Sequence, residues 1–142
     1  MFMISGFRSI AVLLASGMLL AAAGCSTSQL PVSGEVKLDG QPVAGPGIIS
    51  FYPDPPTEVA GASAEIVDGQ YQIPAESGVA PGTYRVEITW PKPTGRKLPS
   101  ADPGMEMEER VEAIPAKYNK SSELKVQIDS DQTVHNFELK SK

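Results

Sequence analysis

The stretch Ala80-Pro81-Gly82-Thr83-Tyr84-Arg85-Val86-Glu87-Ile88-Thr89-Trp90 decides the fold class. Pro81 fixes its own φ, and Gly82 tolerates backbone angles closed to other residues, so a turn opens the segment. From Thr83 onward the pattern has period two. Tyr84, Val86, Ile88 and Trp90 share one face, and Arg85, Glu87 and Thr89 share the other. Such alternation marks a strand with one buried side.

Working outward, the same pattern recurs in short pieces. Residues 33–38 alternate, with Val36 and Leu38 on one face and Glu35 and Lys37 on the other. Residues 47–53, 63–67, 70–73, 124–128 and 134–139 also read as strands. Asp39-Gly40 and Asp68-Gly69 suit the positive φ values of tight hairpin turns. Residues 53–57 form a turn or loop, because Pro53, Pro55 and Pro56 donate no ladder hydrogen bonds. Seven short strands with turn signals between them predict an all-β, antiparallel two-layer sandwich. The composition agrees: 13 Gly and 13 Pro are spread along 142 residues, a length that suits one domain.

Between Trp90 and Leu124 the alternation fails on Pro91, Pro93, Pro99, Pro103 and Pro115. Residues 91–123 therefore read as a long surface loop. Residues 105–112 fit two turns of helix, with Glu106, Glu108, Glu109 and Glu112 forming an acidic face.

The N-terminal end reads as an address. Arg8 precedes an apolar run over residues 10–23, shorter than the roughly 20 residues a membrane-crossing helix needs. The run ends Ala21-Ala22-Ala23-Gly24-Cys25, which resembles a bacterial lipobox. It departs from that pattern in having Ala22 where leucine is usual. The resemblance implies a signal peptide over residues 1–24 and a diacylglycerol on Cys25. Residues 25–30 would then be a lipidated tether, and the folded domain would span 31–142. An ordinary signal peptide that leaves a free thiol on Cys25 is the alternative. Ser26 after the cysteine leans to the outer membrane by resemblance to sorting rules. Acyl chains on one cysteine would hold the domain at the membrane, each buried methylene contributing about 0.8 kcal/mol.

Charge narrows the partners. Acids number 17 against 12 bases, and loss of Arg8 with the leader makes the remainder more acidic still. That argues against nucleic acid, which needs a basic face.

Three segments together resemble a known family: residues 32–45 (VSGEVKLDGQPVAG), 66–73 (IVDGQYQI) and 79–88 (VAPGTYRVEI). They are similar to the carboxypeptidase regulatory-like domain, a transthyretin-like (prealbumin-like) fold. Residues 114–119 (IPAKYN) with a following strand and Phe137-Glu138-Leu139 resemble a subset of small bacterial lipoproteins carrying that domain. The resemblance implies a seven-stranded antiparallel Greek-key sandwich over nearly all of residues 31–140. Its motifs specify turns and strands, so they bear on fold far more than on function.

Catalytic sets are short of members. One histidine and one cysteine exclude mechanisms that need two of either. Related transthyretin-like hydrolases use several histidines and end in Tyr-Arg-Gly-Ser, whereas this chain ends Leu139-Lys140-Ser141-Lys142. His135 shares the face of Phe137 and Leu139 and reads as a structural histidine. The competing reading joins it to Met105 and Met107 as a soft copper site. Ser121 and Ser122 have no partner base readable from sequence. Asp129 and Asp131 fit a strand-end turn better than a calcium loop. Trp90 either caps the core or offers a stacking platform. Arg96 and Lys97 form a small basic spot, with Tyr118 expected beneath it.

The expectation is a non-catalytic, lipid-anchored β-sandwich of the bacterial envelope, with no cofactor and no metal. It reaches the membrane through Cys25 and does not bind nucleic acid. The alternative is a polysaccharide- or peptide-binding module that uses residues 91–123, with Trp90, Arg96, Lys97 and Tyr118 as candidate contacts. A cryptic hydrolase is the third reading.

Overall fold

The computed structural model describes residues 28–142. The expected leader, Cys25 and the start of the tether lie outside the described residues. Ten strands follow in order: β1 Val32–Leu38, β2 Gln41–Pro42, β3 Gly47–Pro53, β4 Ala62–Ile66, β5 Gln70–Ile73, β6 Gly82–Thr89, β7 Pro91–Pro99, β8 Glu106–Glu112, β9 Lys125–Ile128 and β10 Phe137–Leu139. Single turns of 3-10 helix stand at Ala75–Ser77 and Ala116–Tyr118. The chain is all-β, with several sheets, consistent with a β-sandwich.

One sheet has the order β4-β3-β6-β9. In the other, β1 pairs with β10 on one side, and with β5 and β2 along successive halves of the other side. Buried residues from both sheets form one apolar cluster, including Ile49, Phe51, Val86 and Ile88 from the first and Val36, Tyr71, Ile73 and Leu139 from the second. The run that decided the fold behaves as its alternation requires. Tyr84, Val86, Ile88 and Trp90 are buried, while Arg85, Glu87 and Thr89 are partly exposed.

Local chemistry explains the turns. Asp39 and Gly40 have φ of 50° and 79°, and Asp68 and Gly69 have 50° and 78°. Positive φ at both central residues is the hairpin geometry whose twist matches that of the flanking strands. The Tyr84 hydroxyl donates to the Ala80 carbonyl at 2.8 Å, tying the strand back to the turn that precedes it. Phe51, Tyr71 and Phe137 stand in a row, with ring centroids 6.0 and 6.3 Å apart, and link the two sheets. Tilted pairs of this kind contribute about 0.5–1.5 kcal/mol each beyond their burial.

Three expectations are corrected. A strand stands at each stretch read as one, but β2, β7 and β8 raise the count from seven to ten. The sheets are not wholly antiparallel, since β1 runs parallel to β10 with Val36 opposite Phe137 and Leu38 opposite Leu139. A hydrophobic pattern fixes which face is buried but not strand direction, so alternation alone does not reveal this. Finally, residues 105–112 are not helical. All but Met105 form β8, hydrogen-bonded to β7, and the supposed loop begins with a long hairpin. Tertiary pairing overrode the helix preference of its glutamates.

Candidate functional site

The β7–β8 hairpin carries Arg96, Lys97 and Met107, with Met105 at its tip. Its two arms pack extensively against each other and little against the rest of the domain. The prolines do not prevent pairing, because of where their nitrogens point. Ser100 N–H donates to the Met105 carbonyl, and Ala113 N–H donates to the Trp90 carbonyl. These bonds fix the phase of the ladder. The pairs Lys92–Val111 and Leu98–Met107 then face inward. Pro91, Pro93 and Pro99, opposite Glu112, Arg110 and Glu106, turn their nitrogens to the outer edge. An N–H is not needed there, so proline is tolerated on this edge.

At the hairpin base, Glu112 Oε1 accepts from the amides of Trp90 and Ile114, both at 2.8 Å. In the middle, Thr94, Gly95 and Arg96 bulge opposite Glu109. Gly95 supplies the positive φ of 79°, and Thr94 Oγ1 donates to Glu109 Oε2 at 2.9 Å. The bulge lies on β7, so β8 stays regular. At the tip, Met105 N–H donates to the Asp102 carbonyl.

The hairpin has two unlike faces. Glu106, Glu108, Arg110 and Glu112 of β8 share one with Lys97 and the three prolines. Met105, Met107 and Val111 lie on the other, with Leu98 beside Met107, Lys92 beside Val111 and Glu109 between Met107 and Val111. Met105, Met107 and Val111 are 64%, 56% and 56% exposed.

The four candidate contacts do not converge into one pocket. Trp90 is buried, with the Lys92 ammonium 4.1 Å from its ring centroid, so it caps the core. Arg96 pairs with Glu109 at 3.8 Å and Lys97 with Glu106 at 3.1 Å, so the basic spot is neutralised across the hairpin. Tyr118 packs against the core cluster, and its hydroxyl accepts from the Lys140 amide at 3.2 Å. It therefore belongs to the C-terminal strand's surroundings rather than to Arg96 and Lys97.

The other candidates have structural partners. His135 is buried, and its Nε2 lies 3.1 Å from the Gln132 carbonyl, which can only accept, so that nitrogen carries the proton. Met105 and Met107 stand on the hairpin, and His135 precedes β10. The Ser122 hydroxyl is buried and donates to the Val86 carbonyl. Asp129 Oδ1 accepts from the amides of Asp131 and Gln132, both at 3.0 Å, closing a turn. Among the described residues, no three His, Cys, Asp or Glu side chains gather where they could hold a metal ion.

One feature escaped the sequence. An open groove of about 1050 Å³ lies along β1, β5 and β4, lined by Ser33, Glu35, Ser63, Gln70, Gln72 and Asn136 among others. The outward residues of strands supply these groups, and no motif marks them. The hairpin did leave a signal, since Met105, Met107 and Val111 recur at even spacing.

No protein family, characterised protein or solved structure matches the chain.

Proposed function

We propose that this chain is a non-catalytic, lipid-anchored module of the bacterial envelope that acts by presenting its β7–β8 hairpin to another protein chain. The observation that carries the reading is the set of exposed apolar side chains on one hairpin face, Met105, Met107 and Val111, with partly exposed Leu98 beside Met107. Isolated two-stranded ribbons are marginally stable in water, and a hydrophobic face gains stability by packing against another surface. The resemblance to the carboxypeptidase regulatory-like domain, with a transthyretin-like Greek-key core, belongs to the same proposal. The residues that carry it form β1 and β2 with their turn, the turn from the end of β4 through β5, and nearly all of β6.

The anchor is Cys25, and probing it needs only labelled palmitate. The full chain expressed in a bacterium should take up label, and Cys25→Ala should not. Absence of label from the wild type would remove the anchor from the account.

A second reading rests on the groove beside β1, β5 and β4. Its amides and hydroxyls suit hydroxyl-rich envelope polysaccharide or an extended peptide. Titration with envelope oligosaccharides should give binding that Gln72→Ala weakens. Binding unchanged in that variant would place the ligand elsewhere.

A further inference from the structure

We infer that Met105 and Met107 form a reversible oxidation site, at which conversion of both thioethers to sulfoxides weakens the hairpin's hold on its partner chain. This rests on the hairpin being the working surface, as proposed above, and names how that surface is regulated.

Sulfur occurs at two places among the described residues, Met105 and Met107. The core holds none, since its buried apolar side chains are Val, Ile, Leu, Phe, Tyr, Trp and Ala. Both methionines stand instead on one face of the hairpin, two residues apart and more than half exposed. Neither packing nor strand preference accounts for that choice. A β-branched residue suits an exposed strand position better, as Val111 does on the same face. A thioether adds a flexible stem and a sulfur lone pair that an oxidant reaches.

The oxidant required is a peroxide, and hydrogen peroxide is the simplest. The sulfur lone pair attacks one peroxide oxygen, the O–O bond breaks and an S–O bond forms. The second oxygen takes the proton of the transferred one and leaves as water. Sulfur gives up two electrons and the peroxide gains two. The side chain keeps its length, but an apolar atom now carries a polar S–O group.

Met105 and Met107 are two of the three exposed apolar side chains on that face. Their oxidation leaves Val111 and partly exposed Leu98. A partner packed there would cover two sulfoxide oxygens that have no donors to meet them, which lowers affinity by about tenfold or more.

The hairpin itself depends on neither sulfur. Backbone pairing, Glu112 at the base and the Arg96–Glu109 and Lys97–Glu106 ion pairs join its arms. Trp90, which oxidants also attack, is buried. Oxidation therefore alters the surface and spares the fold.

The test takes the purified full chain carrying a photoreactive residue at Val111. One portion is treated with hydrogen peroxide, the peroxide is removed, and treated and untreated portions are mixed with detergent-solubilised envelopes and illuminated. Mass spectrometry should find one added oxygen on each of Met105 and Met107, with circular dichroism unchanged. The oxidised chain should give about tenfold less cross-linked species than the untreated chain. Reduction by methionine sulfoxide reductase before mixing should restore the yield. Sulfurs that stay unoxidised at a dose that converts free methionine overturn the inference. So do equal yields from both portions, a yield that reduction does not restore, and a fold lost on oxidation. An untreated chain that forms no cross-linked species removes the hairpin reading and this inference with it, whereas a species that forms and ignores peroxide removes this inference alone.

Discussion

The hydroxyl of Tyr71 donates a 2.7 Å hydrogen bond to the carbonyl oxygen of His135, 64 residues further along the chain. The same segment is held a second way, because the His135 amide donates to the Ser33 carbonyl at 2.8 Å. The bond from β5 to the segment leading into β10 crosses over β1 at Gly34. A Cβ built on Gly34 would stand 1.9 Å from the His135 oxygen, so only glycine admits this approach. The lone histidine is thus built into the frame through its backbone as well as its ring.

Tyr71→Phe leaves a buried carbonyl without its phenol donor, and should cost about 1–3 kcal/mol. Urea denaturation at neutral pH measures it. Burial also raises the Tyr71 and Tyr84 phenols above the ordinary tyrosine value near 10. A raised native pKa means that the unfolded chain releases these protons first. Stability should therefore be complete below about pH 10 and fall as the pH rises beyond it. In Tyr71→Phe that alkaline decline should be shallower.

Gly34→Ala should be far more damaging than Gly40→Ala. The first drives a methyl group into the His135 backbone. The second meets open space, and its cost is that of a left-handed φ, about 1–2 kcal/mol. Thermal denaturation of both variants should rank them in that order.

Glu112→Ala should loosen the hairpin base without unfolding the sandwich. It removes the acceptor shared by the Trp90 and Ile114 amides, worth about 1–3 kcal/mol. The chain has one tryptophan, so its emission reads this site alone. The spectrum should shift to the red as Trp90 gains water.

Asp39 gives a local acid response. Hydrogen bonds from the Ser141 hydroxyl and amide hold its carboxyl below the ordinary aspartate value. A lowered native pKa favours the paired state above the unfolded value, and that preference is lost as the pH falls through the native one. Exchange of the Ser141 amide should therefore quicken in strong acid, and Asp39→Asn should remove this pH dependence.

The fold was legible wherever burial imposed alternation. Tyr84, Val86, Ile88 and Trp90 marked β6, and the Asp-Gly pairs marked two turns. Strand direction was not legible, because Phe137 and Leu139 show the same parity whether β10 runs with β1 or against it. The hairpin was hidden for a different reason. Pro91, Pro93 and Pro99 read as breakers, and they are breakers only when their nitrogens point into a ladder. Here the nitrogens point out. The glutamates of β8 favour a helix in isolation, and pairing with β7 outweighs that preference. Of the candidate contacts, Trp90 was legible as a core cap. The neutralisation of Arg96 and Lys97 depended on a pairing that the prolines concealed.

The central claim is that one face of the β7–β8 hairpin is the working surface. Photo-cross-linking in intact envelopes tests it most directly, with the full chain carrying a photoreactive residue at Met107 or Val111, or at Lys97 or Pro93 of β7 on the opposite face. The account predicts a discrete cross-linked species from Met107 and Val111 and little from Lys97 and Pro93. No adduct at any position, or equal adducts from both faces, would contradict it.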